Sequence, residues 1–155
     1  MGQKEIPYKD VHDQDDLLRL DRQVCFPLYA ATNLLTRLYG PVLAELGLTY
    51  PQYLVLLVLW EQRPLSVGDL GRRLYLDSGT LTPLLKRMEA AGLLTRARDD
   101  QDQRRVLVTL TAQGKDLKSQ AMHVPQTLAA GRSLSELDAL RAQVNTLIAT
   151  LTAKE

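Results

Sequence analysis

Asp77-Ser78-Gly79-Thr80-Leu81-Thr82-Pro83-Leu84-Leu85-Lys86-Arg87-Met88-Glu89 is the stretch whose reading decides the fold. Leu81, Leu84, Leu85 and Met88 recur at i, i+3, i+4 and i+7, one apolar stripe of an α-helix. Stepping by about 100° per residue puts Thr80, Thr82, Pro83, Lys86 and Arg87 on the opposite face. That face is short, polar and positive. Threonine and small residues suit base edges, and lysine and arginine suit base edges or phosphates. Asp77 or Ser78 caps the start, and Gly92 ends the helix in the left-handed conformation. An ordinary amphipathic surface helix has the same pattern, so the neighbours decide.

Upstream, Ser66 with Asp69 starts a short helix from Val67 to about Tyr75. A helix, a tight turn and a second helix form a helix-turn-helix, whose second member enters the major groove. Downstream, Leu93 to Arg98 reads as a strand, Asp99 to Gln103 as a polar turn and Arg104 to Leu110 as the alternating return strand. A hairpin in that place is a wing. Its tip carries Arg98, Arg104 and Arg105, placed to reach an adjacent minor groove.

Further out, residues 1 to about 14 are polar and acidic and read as a loose arm. Leu17, Leu18 and Leu20 form the first apolar cluster. A long helix starts near Pro27, capped by Asp21 or beginning at Phe26, because proline is tolerated only in the first turn. Either start leaves Cys25 at a helix N-terminus, whose partial positive charge favours an anionic sulfur. The pattern continues to about Leu38, then Tyr39-Gly40-Pro41 breaks or bends it, and Gly47 closes the next short segment. Thr49-Tyr50-Pro51-Gln52 reads as a capping box, opening an apolar, buried helix from about Tyr50 to Glu61 in which Trp60 is core. Arg63-Pro64 is a turn, and Leu65-Ser66-Val67 suits a single strand pairing. Thr111 caps a helix running toward Leu128, with a bend at Pro125. Gly131 precedes a second capping box, Ser133 with Glu136. Leu134, Leu137, Leu140, Val144, Leu147, Ile148 and Leu151 then line one side of a terminal helix that needs a partner, either the chain's own first helix or a second copy.

The 155 residues suit one domain and carry a formal net charge of +1, so overall charge does not point to nucleic acid. The distribution is more telling: residues 1–21 hold six acids and three bases, and residues 71–105 hold eight bases and five acids. No apolar run approaches the roughly 20 residues of a bilayer span, and no signal pattern opens the chain. A cytoplasmic protein without a membrane partner is expected. The single cysteine excludes an intramolecular disulfide and a cysteine-cluster zinc site. His12 and His123 have no ligand spacing, and neither a metal nor a cofactor is expected.

These elements together resemble the MarR family of bacterial transcriptional regulators. Asp102-Gln103-Arg104-Arg105, followed by Val106 to Thr111 and Gly114, resembles that family's wing signature. Three stretches, Leu20 to Ala30, Leu46 to Val55 and Leu76 to Arg87, are similar to its OhrR-type sensors of organic hydroperoxides. The resemblance implies a mainly α fold with a small β-hairpin wing, a winged helix-turn-helix with N- and C-terminal dimerisation helices. A single domain over 1–155 would hold dimerisation helices at about 15–47 and 112–155 and a DNA-binding lobe at about 48–111. It implies a homodimer on the double-stranded DNA of a pseudo-palindromic operator, acting as a repressor and not an enzyme. The matching DNA-contacting positions are Ser78, Thr80, Thr82, Pro83, Lys86 and Arg87, with Arg104 in the minor groove and Asp102 holding it. Cys25 is the implied sensor, ringed by Tyr29 of its own subunit and Tyr39 and Tyr50 of the other. An organic hydroperoxide, the inducer, would oxidise it to sulfenic acid. With no second cysteine the chain matches the one-cysteine type, in which a low-molecular-weight thiol traps the sulfenic acid or oxidation goes further.

Two other classes remain open at this point. A MarR-type regulator answering a small aromatic or phenolic ligand would leave Cys25 a bystander, packed as a small hydrophobe. A thiol peroxidase would use Cys25 for turnover, but no second thiol is present and no arginine or histidine has a spacing that sets it on Cys25.

Overall fold

The computed structural model describes residues 18–61, 64–129 and 131–153. The loose arm expected over residues 1–14, Leu17 of the apolar cluster and Arg63 of the turn lie outside them. Contacts divide the chain into two units, residues 1–37 and 38–155.

In the first unit a 3-10 turn, Leu20–Arg22, precedes the start of helix α1, Cys25–Glu45. The helix opens at Cys25 itself, which puts Pro27 in the first turn, where its missing N–H removes no helix bond. Every described side chain of this unit is exposed or half-exposed, including Val24, Phe26, Leu28 and Leu34.

Of the break or bend expected at Tyr39-Gly40-Pro41, the break is absent: α1 continues through Pro41 to Glu45. Proline inside a helix costs about 3 kcal/mol. Burial of Tyr39 and Leu43 on either side of it offsets that cost, at about 1.5–3 kcal/mol for a fully buried large apolar side chain. Gly47 ends α1 rather than a separate segment. With φ +67° it donates its N–H to Ala44 O at 3.0 Å, and Leu48 donates to Leu43 O at 2.9 Å. These are the paired bonds of a Schellman cap.

The second unit holds α2 (Tyr50–Glu61), β1 (Leu65–Ser66), α3 (Val67–Leu74), α4 (Ser78–Ala90), β2 (Leu94–Arg98), β3 (Val106–Leu110), α5 (Ala112–Gln120), α6 (Gln126–Ala129) and α7 (Leu134–Thr152). The strands form one antiparallel sheet in the order β1-β3-β2, with Leu65 opposite Val108 and Thr95 opposite Thr109. Of the box at α2, the Gln52 half is present: Thr49 N–H donates to Gln52 Oε1 at 2.8 Å. Tyr53, Val55, Leu56, Val58 and Leu59 bury α2 on nearly all sides. The core closes with Leu70 of α3, the stripe Leu81, Leu84, Leu85 and Met88 of α4, Leu94, Val108 and Val124. After α5 the helix gives way over Ala121–His123 to a 3-10 turn, four residues before the proline expected to bend it.

The Ser133–Glu136 capping box starts α7. No side chain of α7 is fully buried, and Leu134, Leu140 and Leu151 are exposed. Among the described residues no single helix is long and apolar enough to cross a membrane.

Candidate functional site

The polar face of α4 is built as its sequence prescribes. Asp77 caps it, its carboxylate accepting from Thr80 N–H at 2.8 Å and from the Thr80 hydroxyl at 3.0 Å. Those bonds hold the Asp77 carboxyl below the ordinary range, the backbone N–H first. The Thr80 hydroxyl is therefore committed to the cap. Ser78, Thr80, Pro83, Lys86 and Arg87 are exposed and Thr82 is half-buried, while the apolar stripe beneath is fully buried. Gly92, with φ +76°, closes the helix: its N–H donates to Glu89 O at 2.9 Å and Leu93 N–H to Met88 O at 3.0 Å.

Two carboxylates tie the helices of this unit to the wing, Glu89 from α4 and Asp69 from α3, and sequence patterning identified neither in that role. Glu89 accepts from Arg96 N–H at 2.8 Å, from its Nε at 3.1 Å and from its Nη2 at 2.7 Å. This fork ties α4 to β2 and keeps the Glu89 carboxyl low. Asp69 accepts from the Ser66 hydroxyl at 2.6 Å and from Arg105 Nη2 at 3.1 Å, and also pairs with Arg72. Its carboxyl is held low, by the Ser66 hydroxyl first and then by the two guanidinium groups. The Asp69–Arg105 bond fastens α3 to the wing.

The wing differs from its expected form in one respect. Arg104 and Arg105 belong to the turn, because β3 starts at Val106. The three tip arginines are not equivalent. Arg98 donates to Gln103 O at 2.5 Å, and Arg105 turns back to Asp69. Arg104 is 92% exposed, and Asp102 accepts from its backbone N–H at 3.1 Å and its Nε at 3.3 Å. The side chain presented outward is thus Arg104, oriented by Asp102.

At the thiol, Cys25 is the first residue of α1 and exposed. Tyr29 follows at i+4, on the same helix face, and is 68% exposed. In the second unit the structure brings Tyr39 and Tyr50 together, ring centroids 5.3 Å apart. Tyr53 joins them, 6.5 Å from each; its i+3 spacing from Tyr50 was the available signal. Burial pushes all three hydroxyls above the ordinary tyrosine range, so at neutral pH they are O–H donors. Among the described residues no group of histidine, cysteine and acidic side chains is arranged to hold a metal ion.

A model of the MarR family matches residues 48–106, the span from Leu48 to the first residue of β3. The chain belongs to the MarR family. It is 48% identical over 141 residues, 90% of this chain and 96% of the relative, to the organic hydroperoxide resistance transcriptional regulator of Bacillus subtilis. It is 51% identical over 144 residues, 91% of this chain and 73% of the relative, to the HTH-type transcriptional regulator TtmR of Methylorubrum extorquens. Among solved structures, reduced AbfR bound to DNA superposes with a TM-score of 0.76 at 36% identity, covering 90% of this chain and 96% of that one.

Proposed function

We propose that this chain is a homodimeric transcriptional repressor that leaves its operator when an organic hydroperoxide oxidises Cys25. The observation that carries the reading is Cys25 itself, the sole cysteine, exposed at the first turn of α1 in a chain 48% identical to a hydroperoxide-resistance regulator. The exposed apolar side chains of α1 and α7 support a second copy as their cover. In the dimer, two α4 helices enter successive major grooves of a pseudo-palindrome about one turn apart. Lys86 and Arg87 contact phosphates or base edges, Ser78, Thr80, Thr82 and Pro83 lie close over the bases, and Arg104 enters the flanking minor groove from its seat on Asp102.

The redox step takes place at sulfur. The thiolate attacks the terminal oxygen of the hydroperoxide, an S–O bond forms as the O–O bond breaks, and the departing alkoxide takes a proton to become an alcohol. Cysteine is oxidised to sulfenic acid and the hydroperoxide is reduced. Tyr29 of the same subunit and Tyr39 and Tyr50 of the partner surround the thiol in this reading, and the Tyr39 and Tyr50 hydroxyls, kept protonated by burial, suit donation to the peroxide oxygens. A low-molecular-weight thiol then displaces water from the sulfenic acid to form a mixed disulfide. Its bulk overpacks the pocket, at about 1–3 kcal/mol, of the size that biases a two-state dimer. The protein is a regulator rather than an enzyme, since one thiol and no resolving partner support one event per trapped sulfur.

Intact-mass analysis beside operator binding tests this sequence, after stoichiometric cumene hydroperoxide with and without a small thiol. Released protein should carry one added oxygen, or one added thiol at Cys25. Release of unmodified protein would refute it. A second reading, a small aromatic ligand as the signal, is favoured by one feature. A groove of about 1070 Å³ lies between α3, the start of α4 and the end of α7, lined by Tyr75, Leu76, Leu81, Ile148 and Leu151 among others. Binding of such a ligand with operator release in Cys25→Ser would favour it.

A further inference from the structure

We propose that Tyr53 and Trp60 are positioning residues that couple the Tyr39–Tyr50 pair to the root of the wing. The inference rests on the hydroperoxide reading above, in which those two tyrosines face the partner's thiol, and adds that they shift when it is oxidised. Tyr50, Tyr53 and Trp60 share one side of α2, at about 100° per residue. Tyr53 is 5% exposed and sits among the other rings. It stacks on Tyr39 at 6.5 Å and 29°, and meets Trp60 edge-on at 6.4 Å and 69°. Neither tyrosine of the pair can shift far without moving Tyr53, because interiors are close-packed.

Trp60 carries the contact onward. Its indole Nε1–H donates to Gly114 O at 2.8 Å. Gly114 has no slack: a Cβ there would lie 2.0 Å from Leu93 O. Thr111 donates its N–H to that same Leu93 carbonyl at 3.2 Å and its hydroxyl to Gly92 O at 2.6 Å. Leu93 and Thr111 flank the two wing strands, one residue before Leu94 and one after Leu110. A displaced indole therefore acts on the joint from which Arg104 is carried. The indole also has somewhere to go. It borders a pocket of about 390 Å³, open to solvent, whose walls include Leu59, Pro64, Val108 and Leu110. A packed row with open space at one end can take two arrangements rather than deform continuously.

The discriminating variant is Trp60→Phe, which keeps a ring and removes the indole N–H. Its rate of Cys25 oxidation by cumene hydroperoxide should equal the parent's. Its reduced form should bind operator within about threefold of the parent, and its loss of affinity on oxidation should be about tenfold smaller, within the usual span of coupling between sites. A variant that is oxidised and releases its operator as the parent does overturns the coupling. Should the variant fail to fold, the parent decides. Trp60 is the only tryptophan, so its emission should shift on oxidation in the parent and not in Cys25→Ser, and an unchanged emission overturns the proposal. A parent that stays on its operator once Cys25 is oxidised contradicts the hydroperoxide reading itself, a separate result.

Discussion

Replacing Gly114 by alanine places a methyl carbon 2.0 Å from Leu93 O, where real Cβ atoms essentially never come under 3.0 Å. About 1 Å of separation must open between α5 and the residue that leads into β2, in an interior that transmits strain rather than absorbing it. Three bonds converge there: Trp60 Nε1–H to Gly114 O at 2.8 Å, Gly114 N–H to Thr111 Oγ1 at 3.1 Å, and Thr111 N–H to Leu93 O at 3.2 Å. Overpacking costs about 1–3 kcal/mol, and each hydrogen bond lost costs about 0.5–1.5 kcal/mol. With one or two bonds lost, Gly114→Ala should destabilise the fold by about 1.5–6 kcal/mol. Urea unfolding at one fixed protein concentration measures it, since a dimer's stability depends on concentration. Gly68→Ala is the control: its Cβ meets only Ser66 Oγ, at 3.9 Å, and should leave stability unchanged or raise it by up to about 1 kcal/mol. A Gly114→Ala protein within about 0.5 kcal/mol of the parent, the range of an ordinary surface change, would refute this account of the wing root.

Three further predictions follow from the site. Arg104→Ala should weaken operator binding most on A·T-rich flanks and leave unfolding unchanged, whereas Arg105→Ala should loosen the wing by freeing Asp69; equal loss on G·C-rich flanks would argue against minor-groove reading by Arg104. Lys86→Ala or Arg87→Ala should weaken operator binding and reduce its salt dependence by about one phosphate contact each, with the dimer still folded by sedimentation; an unchanged affinity at moderate salt removes that residue from the contact set. The carboxyls of Asp69, Asp77, Glu89 and Glu136 are all held below their ordinary values by hydrogen bonds to the folded chain. Their contribution is therefore present above the unfolded-state range near about pH 4 and is lost as pH falls through the lower folded values. Urea midpoints should drop on acidification across that window, and less steeply in Glu89→Gln; an identical slope would remove Glu89 from the linkage.

What the sequence made legible was what local pattern controls. The stripe of α4, a cap at Asp77 or Ser78 and the Ser133–Glu136 box arise from spacing and capping chemistry, as does Cys25 at the start of α1, whereas the partner of the short Leu65-Ser66 strand, β3, emerges only in the fold. The helix that runs on through Pro41 shows the limit: burial of Tyr39 and Leu43 overrides a local helix breaker, and burial is a tertiary quantity. Arg105 looked equivalent to Arg104 because both lie at the tip. Only the folded chain sets Asp69, 36 residues earlier, against one of them. The Trp60–Gly114 bond joins residues 54 apart, and no periodicity announces it. Tyr53 was hidden differently: its i+3 spacing from Tyr50 marks a shared side, but in a helix apolar on nearly every side that spacing does not single it out.

The central claim is that one sulfur atom sets operator affinity. Operator binding by purified reduced protein, before and after stoichiometric cumene hydroperoxide with a small thiol present, tests it most directly in the parent and in Cys25→Ser. The account predicts that the parent releases the operator and that Cys25→Ser, bound equally well beforehand, does not. If both stay bound, or both let go, Cys25 is not the switch.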